Sequence, residues 1–174
     1  GSGHVMRCLT LADALCDMGA EVVFLSRELP GNLNDLIVGR GFTLHQLSKP
    51  EKSEVPFDWN RHAAWLGVHW RQDAEECYAC LENGREPYDW LIVDHYALDK
   101  HWEELLRPVA QKIMAIDDLA DREHDCDLLL DQNIHCDLQN RYRNLVPNRC
   151  VQLLGPGYAL LRAEFSEARK TLKP

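Results

Sequence analysis

Residues 1–15 read GSGHVMRCLTLADAL, and this opening stretch determines how the rest of the chain is interpreted. Its apolar residues recur at the spacing of one helix face, namely Val5, Leu9, Ala12 and, just beyond, Cys16. Such a period is typical of an amphipathic helix. The stretch therefore predicts a glycine-containing loop that runs directly into a helix, with Gly19 as its natural end.

The start of this helix has the chemistry of an anion site. Gly1 and Gly3 let a ligand approach the main chain closely, and the free amides of a helix start favour a negative charge. His4 lies at the same place, where an imidazole can be a neutral base near pH 7 or a cation that faces a phosphate. Two plainer interpretations stay open: Gly-Ser at a chain start can be a cloning remnant, and a histidine there can be only a helix cap. Because a phosphate loop normally follows a buried strand, we expect that the chain begins just after its first strand.

The composition is that of one ordinary globular domain, with 174 residues, 45% of them apolar and 27% charged. The net charge of −9, from 19 basic and 28 acidic residues, argues against nucleic acid and anionic membranes as partners. The 7 cysteines are scattered, and the pair Cys77 and Cys80 lacks a second pair at zinc-site spacing. We expect reduced thiols in a cytoplasmic protein that needs no metal and no cofactor.

Strand and helix patterns alternate along the chain. Residues 21–26 and 42–47 have the pattern of short buried strands, with a helix over 32–39 between them. Four later apolar runs each end in polar or glycine residues: 90–94, 113–116, 128–130 and 151–154. Alternation of this kind predicts an α/β domain, with a Rossmann-like parallel sheet covered by helices on both faces.

The ends of these runs are the candidate site. Asp94 ends one run and His95 follows it, and Asp117 and Asp118 follow the next run. Carboxyl ends of parallel strands meet at one sheet edge, where open α/β sheets bind ligands. Taken singly, each acidic residue can equally be a solvated cap or a buried structural carboxylate. Asp99 is expected to cap a helix that runs to about residue 106.

Three tryptophans, Trp59, Trp65 and Trp70, follow a polar loop in quick succession. They can form a ligand platform or a small core. On the residues alone the core is favoured, because aromatic side chains usually pack.

Four blocks of the chain resemble a known family when taken in order: 1–12, 89–99, 116–122 with 125–133, and 154–165. They are similar to the signatures of the PseG family, the UDP-2,4-diacetamido-2,4,6-trideoxy-β-L-altropyranose hydrolases of bacterial pseudaminic acid biosynthesis. That family resembles two-domain glycosyltransferases of the GT-B type, with the site in the cleft between domains. The resemblance also makes the glycines part of a motif and not a remnant.

The resemblance implies a domain division. Residues 1–165 would be the N-terminal Rossmann-like domain without its first strand, and 166–174 would begin the interdomain linker. The missing C-terminal domain would supply most contacts to the nucleotide, so the segment alone should hydrolyse UDP-sugar hardly at all.

The resemblance further implies that water attacks the anomeric carbon of a UDP-sugar and releases UDP. His4 matches the family's catalytic histidine, and a general base typically contributes ~10² to 10⁴ in rate. Tyr96 matches a site tyrosine, and the remaining residues follow from position. The expected substrate-binding set is Gly1, Ser2, Gly3, Arg7, Asp94, His95, Tyr96, Asp117, Asp118 and Arg162.

Two other functions stay open. A GT-B glycosyltransferase could use the same loop in its acceptor-binding domain, with a sugar in place of water as the nucleophile. A non-catalytic dinucleotide-binding module is disfavoured, because the motif lacks its third glycine and no acidic ribose partner follows at the usual distance.

Overall fold

Helices alternate with parallel strands in the computed structural model, which describes residues 2–50, 59–82, 86–162, 164–165 and 168. The helices are α1 (Ser2–Asp17), α2 (Asn34–Gly39), α3 (Trp70–Leu81) and α4 (Lys100–Leu106). The strands are β1 (Val23–Arg27), β2 (Thr43–Leu47), β3 (Tyr88–Val93), β4 (Ala110–Ile116), β5 (Leu128–Asp131) and β6 (Val151–Leu154). Short 3₁₀ turns lie at Ala63–Trp65, Arg107–Val109 and Pro156–Tyr158.

All strand pairs are parallel, but they form two sheets where the sequence predicts one. β1 pairs with β2, and β3, β4, β5 and β6 form a second sheet in that order. The predicted α/β class, with helices flanking parallel strands, is confirmed. Within the described parts of the chain, no strand pairs with both β1 and β3, so the two sheets stay separate.

Helices cover both faces of the four-stranded sheet. Ile113 and Ala115 of β4 point into the larger core, which α3 and α4 complete with Cys77 and Trp102 among others. The intervening residues of β4 point the other way and meet Cys8 and Leu11 of α1. Since successive side chains of a strand alternate in direction, one continuous apolar run supplies both cores. This arrangement places the start of α1 over one face of the sheet.

Two predicted signals at helix ends are confirmed. Gly19 follows α1 with a φ of 91°, a left-handed conformation that favours glycine. Asp99 caps α4, because its side chain accepts a hydrogen bond of 2.9 Å from the amide of His101. The residues from Asp73 to Leu81 also have a helical pattern in the sequence, with Gly84 as the predicted end, and they lie within α3. Gly84 itself lies outside the described residues, as does most of the polar loop that precedes Trp59.

The predicted loop at the chain start is wrong in its extent. α1 already begins at Ser2, so Gly3 and His4 lie in the first helical turn. Gly3 adopts no left-handed angle, and an added Cβ would meet nothing within 4 Å. Gly1 lies outside the described residues. The described residues Ser2 and Gly3 therefore lie in the helix and not in the glycine loop that the sequence predicts. Across the part of the chain that the structure describes, no helix is long and apolar enough to cross a membrane.

Candidate functional site

Arg7 of α1 and Asp94 at the end of β3 tie the helix to the sheet. Nε of Arg7 donates to Oδ2 of Asp94 at 2.6 Å, and Nη2 donates to Oδ1 at 2.5 Å. Both side chains are largely buried, with 11% and 3% of their surfaces exposed. Two parallel hydrogen bonds between a guanidinium and a carboxylate fix orientation as well as distance. The pair therefore sets where the first turns of α1 lie above the carboxyl edge of the sheet.

Asp118, which follows β4, joins three further side chains at this edge. Its Oδ1 accepts a hydrogen bond of 2.7 Å from the hydroxyl of Tyr96, and its Oδ2 accepts one of 3.1 Å from the side-chain amide of Asn133. Nη1 of Arg7 lies 3.6 Å from the same Oδ2. Burial and the Asp118 contact raise the pKa of Tyr96 to about 12, so its hydroxyl keeps its proton at neutral pH.

His4 lies against this cluster from the first turn of α1. Its ring meets Tyr96 edge-on, with 4.7 Å between ring centroids, and the His95 ring is 6.5 Å away. Nδ1 of His4 is buried and accepts no hydrogen bond from the residues described. Burial lowers the pKa of His4, so the imidazole is neutral at pH 7. A neutral ring with an unused ring nitrogen is chemically able to accept a proton.

The backbone fixes the tautomer of His95. Its Nδ1 accepts a hydrogen bond of 3.1 Å from the amide of Ala97, which places the proton of the neutral ring on Nε2. Burial, with the neighbouring His4 ring, lowers the pKa of His95 to about 4. His95 is thus neutral across the physiological range.

The structure therefore brings together His4, Arg7, Asp94, His95, Tyr96 and Asp118 of the predicted set. Ser2 and Gly3 are exposed on the first turn of α1 beside them. We call these eight residues the edge cluster.

Asp117 does not face the edge cluster, contrary to the expectation that it binds substrate. It is 0% exposed and accepts hydrogen bonds from the Ala120 amide at 2.9 Å and the Tyr142 hydroxyl at 3.1 Å. Arg122 adds an ion pair of 2.8 Å, without hydrogen-bond alignment, to the other carboxylate oxygen. Burial by itself would raise the pKa of Asp117, but Arg122 and His124 outweigh it and the net shift is downward. Successive residues point to opposite sides, so Asp117 turns inward where Asp118 turns outward.

Arg162 is also not brought to the edge cluster. Its guanidinium lies 3.2 Å from the carboxylate of Glu164 and 5.3 Å from the centre of the Phe165 ring. The side chain is 47% exposed. The sequence pattern predicts a final helix that opens at Leu160; the structure has residues 164 and 165 in a helix, but 160–162 are irregular.

Sequence reasoning missed Arg141. Its Nη2 donates a hydrogen bond of 2.6 Å to the backbone oxygen of Asp118, and its Nε donates one of 2.8 Å to the buried carboxylate of Asp131. The segment around Arg141 is polar and has no helix or strand period, so no signal pointed to it. Asn133 lies within a motif block, but nothing in its spacing marked it as a partner of Asp118.

The described residues contain no group of three or more histidine, cysteine, aspartate or glutamate side chains that could hold a metal ion. The edge cluster offers instead a neutral imidazole, a protonated phenol, a paired guanidinium and the amides of a helix start. These groups suit binding of an anion and transfer of a proton.

The fold and the edge cluster define a class, an α/β domain of parallel sheets flanked by helices that is compatible with the Rossmann-like N-terminal half of a GT-B protein. No protein-family model matches the chain. The chain is 29% identical over 172 residues to UDP-2,4-diacetamido-2,4,6-trideoxy-β-L-altropyranose hydrolase of Campylobacter jejuni subsp. jejuni serotype O:2 (strain ATCC 700819 / NCTC 11168). The alignment covers 98% of this chain and 50% of that enzyme. The chain thus spans about half the length of the curated relative it matches, and the similarity expected from the four motif blocks is confirmed.

Proposed function

We propose that the protein hydrolyses a UDP-linked 2,4-diacetamido-2,4,6-trideoxy sugar to the free sugar and UDP, a step of pseudaminic acid biosynthesis. The observation that carries this proposal is His4, a neutral imidazole with an unpartnered Nδ1 at the edge where the strands end. Support also comes from the similarity to a protein named as a hydrolase of such a UDP-sugar. In this proposal the edge cluster binds the reacting end of the substrate.

The proposed reaction is a displacement by water at the anomeric carbon. The water oxygen forms a bond to that carbon while the bond from the carbon to the diphosphate oxygen breaks, and UDP leaves with the electron pair. The neutral His4 ring takes the proton that the water loses. General-base assistance of this kind is worth ~10² to 10⁴ in rate.

The other members of the edge cluster have supporting roles. The bidentate pair of Arg7 with Asp94 fixes α1, and hence His4, over the strand ends. The free amides at the start of α1, near Ser2 and Gly3, would oppose the charge that grows on the leaving diphosphate. The hydrogen bond from the Tyr96 hydroxyl to Asp118 holds the phenol ring in place, and His4 packs against that ring.

We also propose the wider architecture that the motifs imply. Residues 1–165 form the N-terminal domain and 166–174 begin a linker, and a strand ahead of residue 1 would pair between β1 and β3. A second domain would supply most contacts to uridine, so the segment alone would be nearly inactive. Two observations support this: the two sheets are separate, and the relative is about twice as long as the chain.

The test is the His4→Ala substitution in the full-length protein, with turnover followed as UDP release. We expect kcat to fall by ~10² to 10⁴ while UDP binding stays within about twofold, because the ring acts on the water. His101→Ala removes a histidine that is 55% exposed at the start of α4, and it should leave kcat unchanged. Normal turnover in the His4→Ala protein would refute the role of His4.

Hydrolysis in ¹⁸O-labelled water decides which bond breaks. Attack at the anomeric carbon puts the label in the sugar, and label in UDP would contradict the mechanism. If product forms only when an acceptor sugar is added, the protein is a glycosyltransferase and the hydrolase proposal is wrong.

A further inference from the structure

The three tryptophans that follow one another in the sequence have different environments in the structure. Trp59 donates a hydrogen bond of 2.9 Å from its indole to the backbone oxygen of Ala97 and packs against the larger core. Trp70 starts α3 and packs against the same core. Trp65 differs, because 57% of its surface is exposed. The core interpretation therefore holds for two of the three, and Trp65 needs a different explanation.

Trp65 forms a continuous aromatic surface with two neighbours. Its ring centre lies 4.8 Å from that of His62 and 6.0 Å from that of Tyr96, and His62 lies 5.6 Å from Tyr96. The planes are tilted by 47–49°, so no ring covers the face of another completely. Tyr96 in turn touches His4. The exposed indole is thus the outer end of a row of rings that begins at the proposed base.

The loop that carries Trp65 is anchored to the turn that carries Tyr96. The side-chain amide of Asn60 donates a hydrogen bond of 3.1 Å to the oxygen of Ala97, the acceptor that Trp59 also uses. The oxygen of the same Asn60 side chain accepts one of 2.8 Å from the amide of His62. These bonds fix the position of the aromatic row relative to the edge cluster. A surface indole held in this way is prepared for a ligand without a large loss of side-chain entropy on binding.

We propose that Trp65, together with Tyr96, is the platform on which the sugar of the UDP-sugar rests, a role that depends on the proposed function. A 2,4-diacetamido-2,4,6-trideoxy sugar has acetamido groups, each ending in a methyl group, in place of two hydroxyls, and a further methyl group at carbon 6. Its surface is therefore more apolar than that of an ordinary hexose, and an exposed indole next to a phenol ring suits it. Trp65 would select for the sugar and would not touch the nucleotide.

The test is calorimetric binding of the UDP-sugar and of UDP to full-length His4→Ala protein, in which the substrate should remain intact. Adding Trp65→Ala should weaken UDP-sugar binding about tenfold, with an intermediate loss for Trp65→Phe, and should leave UDP binding unchanged. The matched control is Trp90→Ala, which removes an indole that is 44% exposed on β3 and should change neither affinity.

Equal UDP-sugar affinity with and without Trp65 would overturn the platform, and so would an equal loss of affinity for UDP, or a protein that binds no UDP-sugar. These outcomes are independent of turnover. If Trp65 proves necessary for tight UDP-sugar binding but the protein with His4 intact releases no UDP, the hydrolase proposal fails while the platform is supported. If Trp65→Ala changes neither the rate of hydrolysis nor the affinity for the UDP-sugar, only the platform proposal fails.

Discussion

Mild acid should destabilise this domain through His95. Its Nδ1 accepts the Ala97 amide, and burial lowers its pKa from 6.5 to about 4. Between these two values the unfolded chain binds a proton that the folded chain does not, so stability falls as the pH falls through this window. Above pH 6.5 the two states differ little in protonation. From the two pKa values, His95 alone should cost about 2 kcal/mol of stability between pH 7.5 and pH 5.

The variant that isolates this effect is His95→Asn. An asparagine oxygen accepts a hydrogen bond from the amide two residues on, as the imidazole nitrogen does now, but it does not titrate. Urea unfolding of the intact protein, read by hydrogen exchange in peptides from β3 and β4, should be compared at the two pH values. We expect the wild type to lose about 2 kcal/mol more than His95→Asn on acidification. Equal losses in the two proteins would refute the assignment, since every other titrating group is common to both.

Two further predictions concern stability. Arg7→Met should lower the free energy of unfolding in urea by about 3 kcal/mol, because it leaves Asp94 buried without its partner. Adding Asp94→Leu should recover most of that loss. Losses that simply add in the double variant would contradict the pairing. Gly67→Ala should cost more than Gly31→Ala in the same assay. Both glycines have a positive φ, of 80° and 73°, but only at Gly67 would the new Cβ meet a Pro50 carbon, at 2.8 Å. Equal losses of stability in the two variants would show that the backbone at Gly67 shifts to relieve the clash.

The elements that carry the fold were predictable because each has a strong local signal. The run 113–116 is apolar at every position, which is what a strand buried on both faces requires, and it forms the last four residues of β4. The cap at Asp99 and the stop at Gly19 follow from single residues with one evident use. The bounds of β1 and β3 differ from the prediction by one or two residues, since apolar character fades gradually at strand ends.

The site was predictable only in part, because its geometry depends on contacts between distant residues. Arg7 and Asp94 are 87 positions apart, and no local pattern shows that they pair. Asp117 and Asp118 are adjacent acids at the end of one strand. Alternation along the strand predicts that they point to opposite sides, but not which one points inward. That choice is made by Tyr142 and Arg122, which reach Asp117 from later parts of the chain.

A network of buried charged side chains fixes the position of Asp118. Asp117 and Asp131 are both 0% exposed, and the Tyr142 hydroxyl shares its one proton between their carboxylates, at 3.1 and 3.0 Å. Arg141 pairs with Asp131 at 2.8 Å and reaches the backbone of Asp118 at 2.6 Å. Replacing such a network by apolar groups is often neutral for stability, so stability is a weak reason to keep it. Its geometric effect is specific: it fixes the loop after β4 against the loop after β5, and so it sets the position of Asp118. The phenol that Asp118 holds, and the imidazole resting on that phenol, are thereby positioned by a segment that carries no periodic signal of its own.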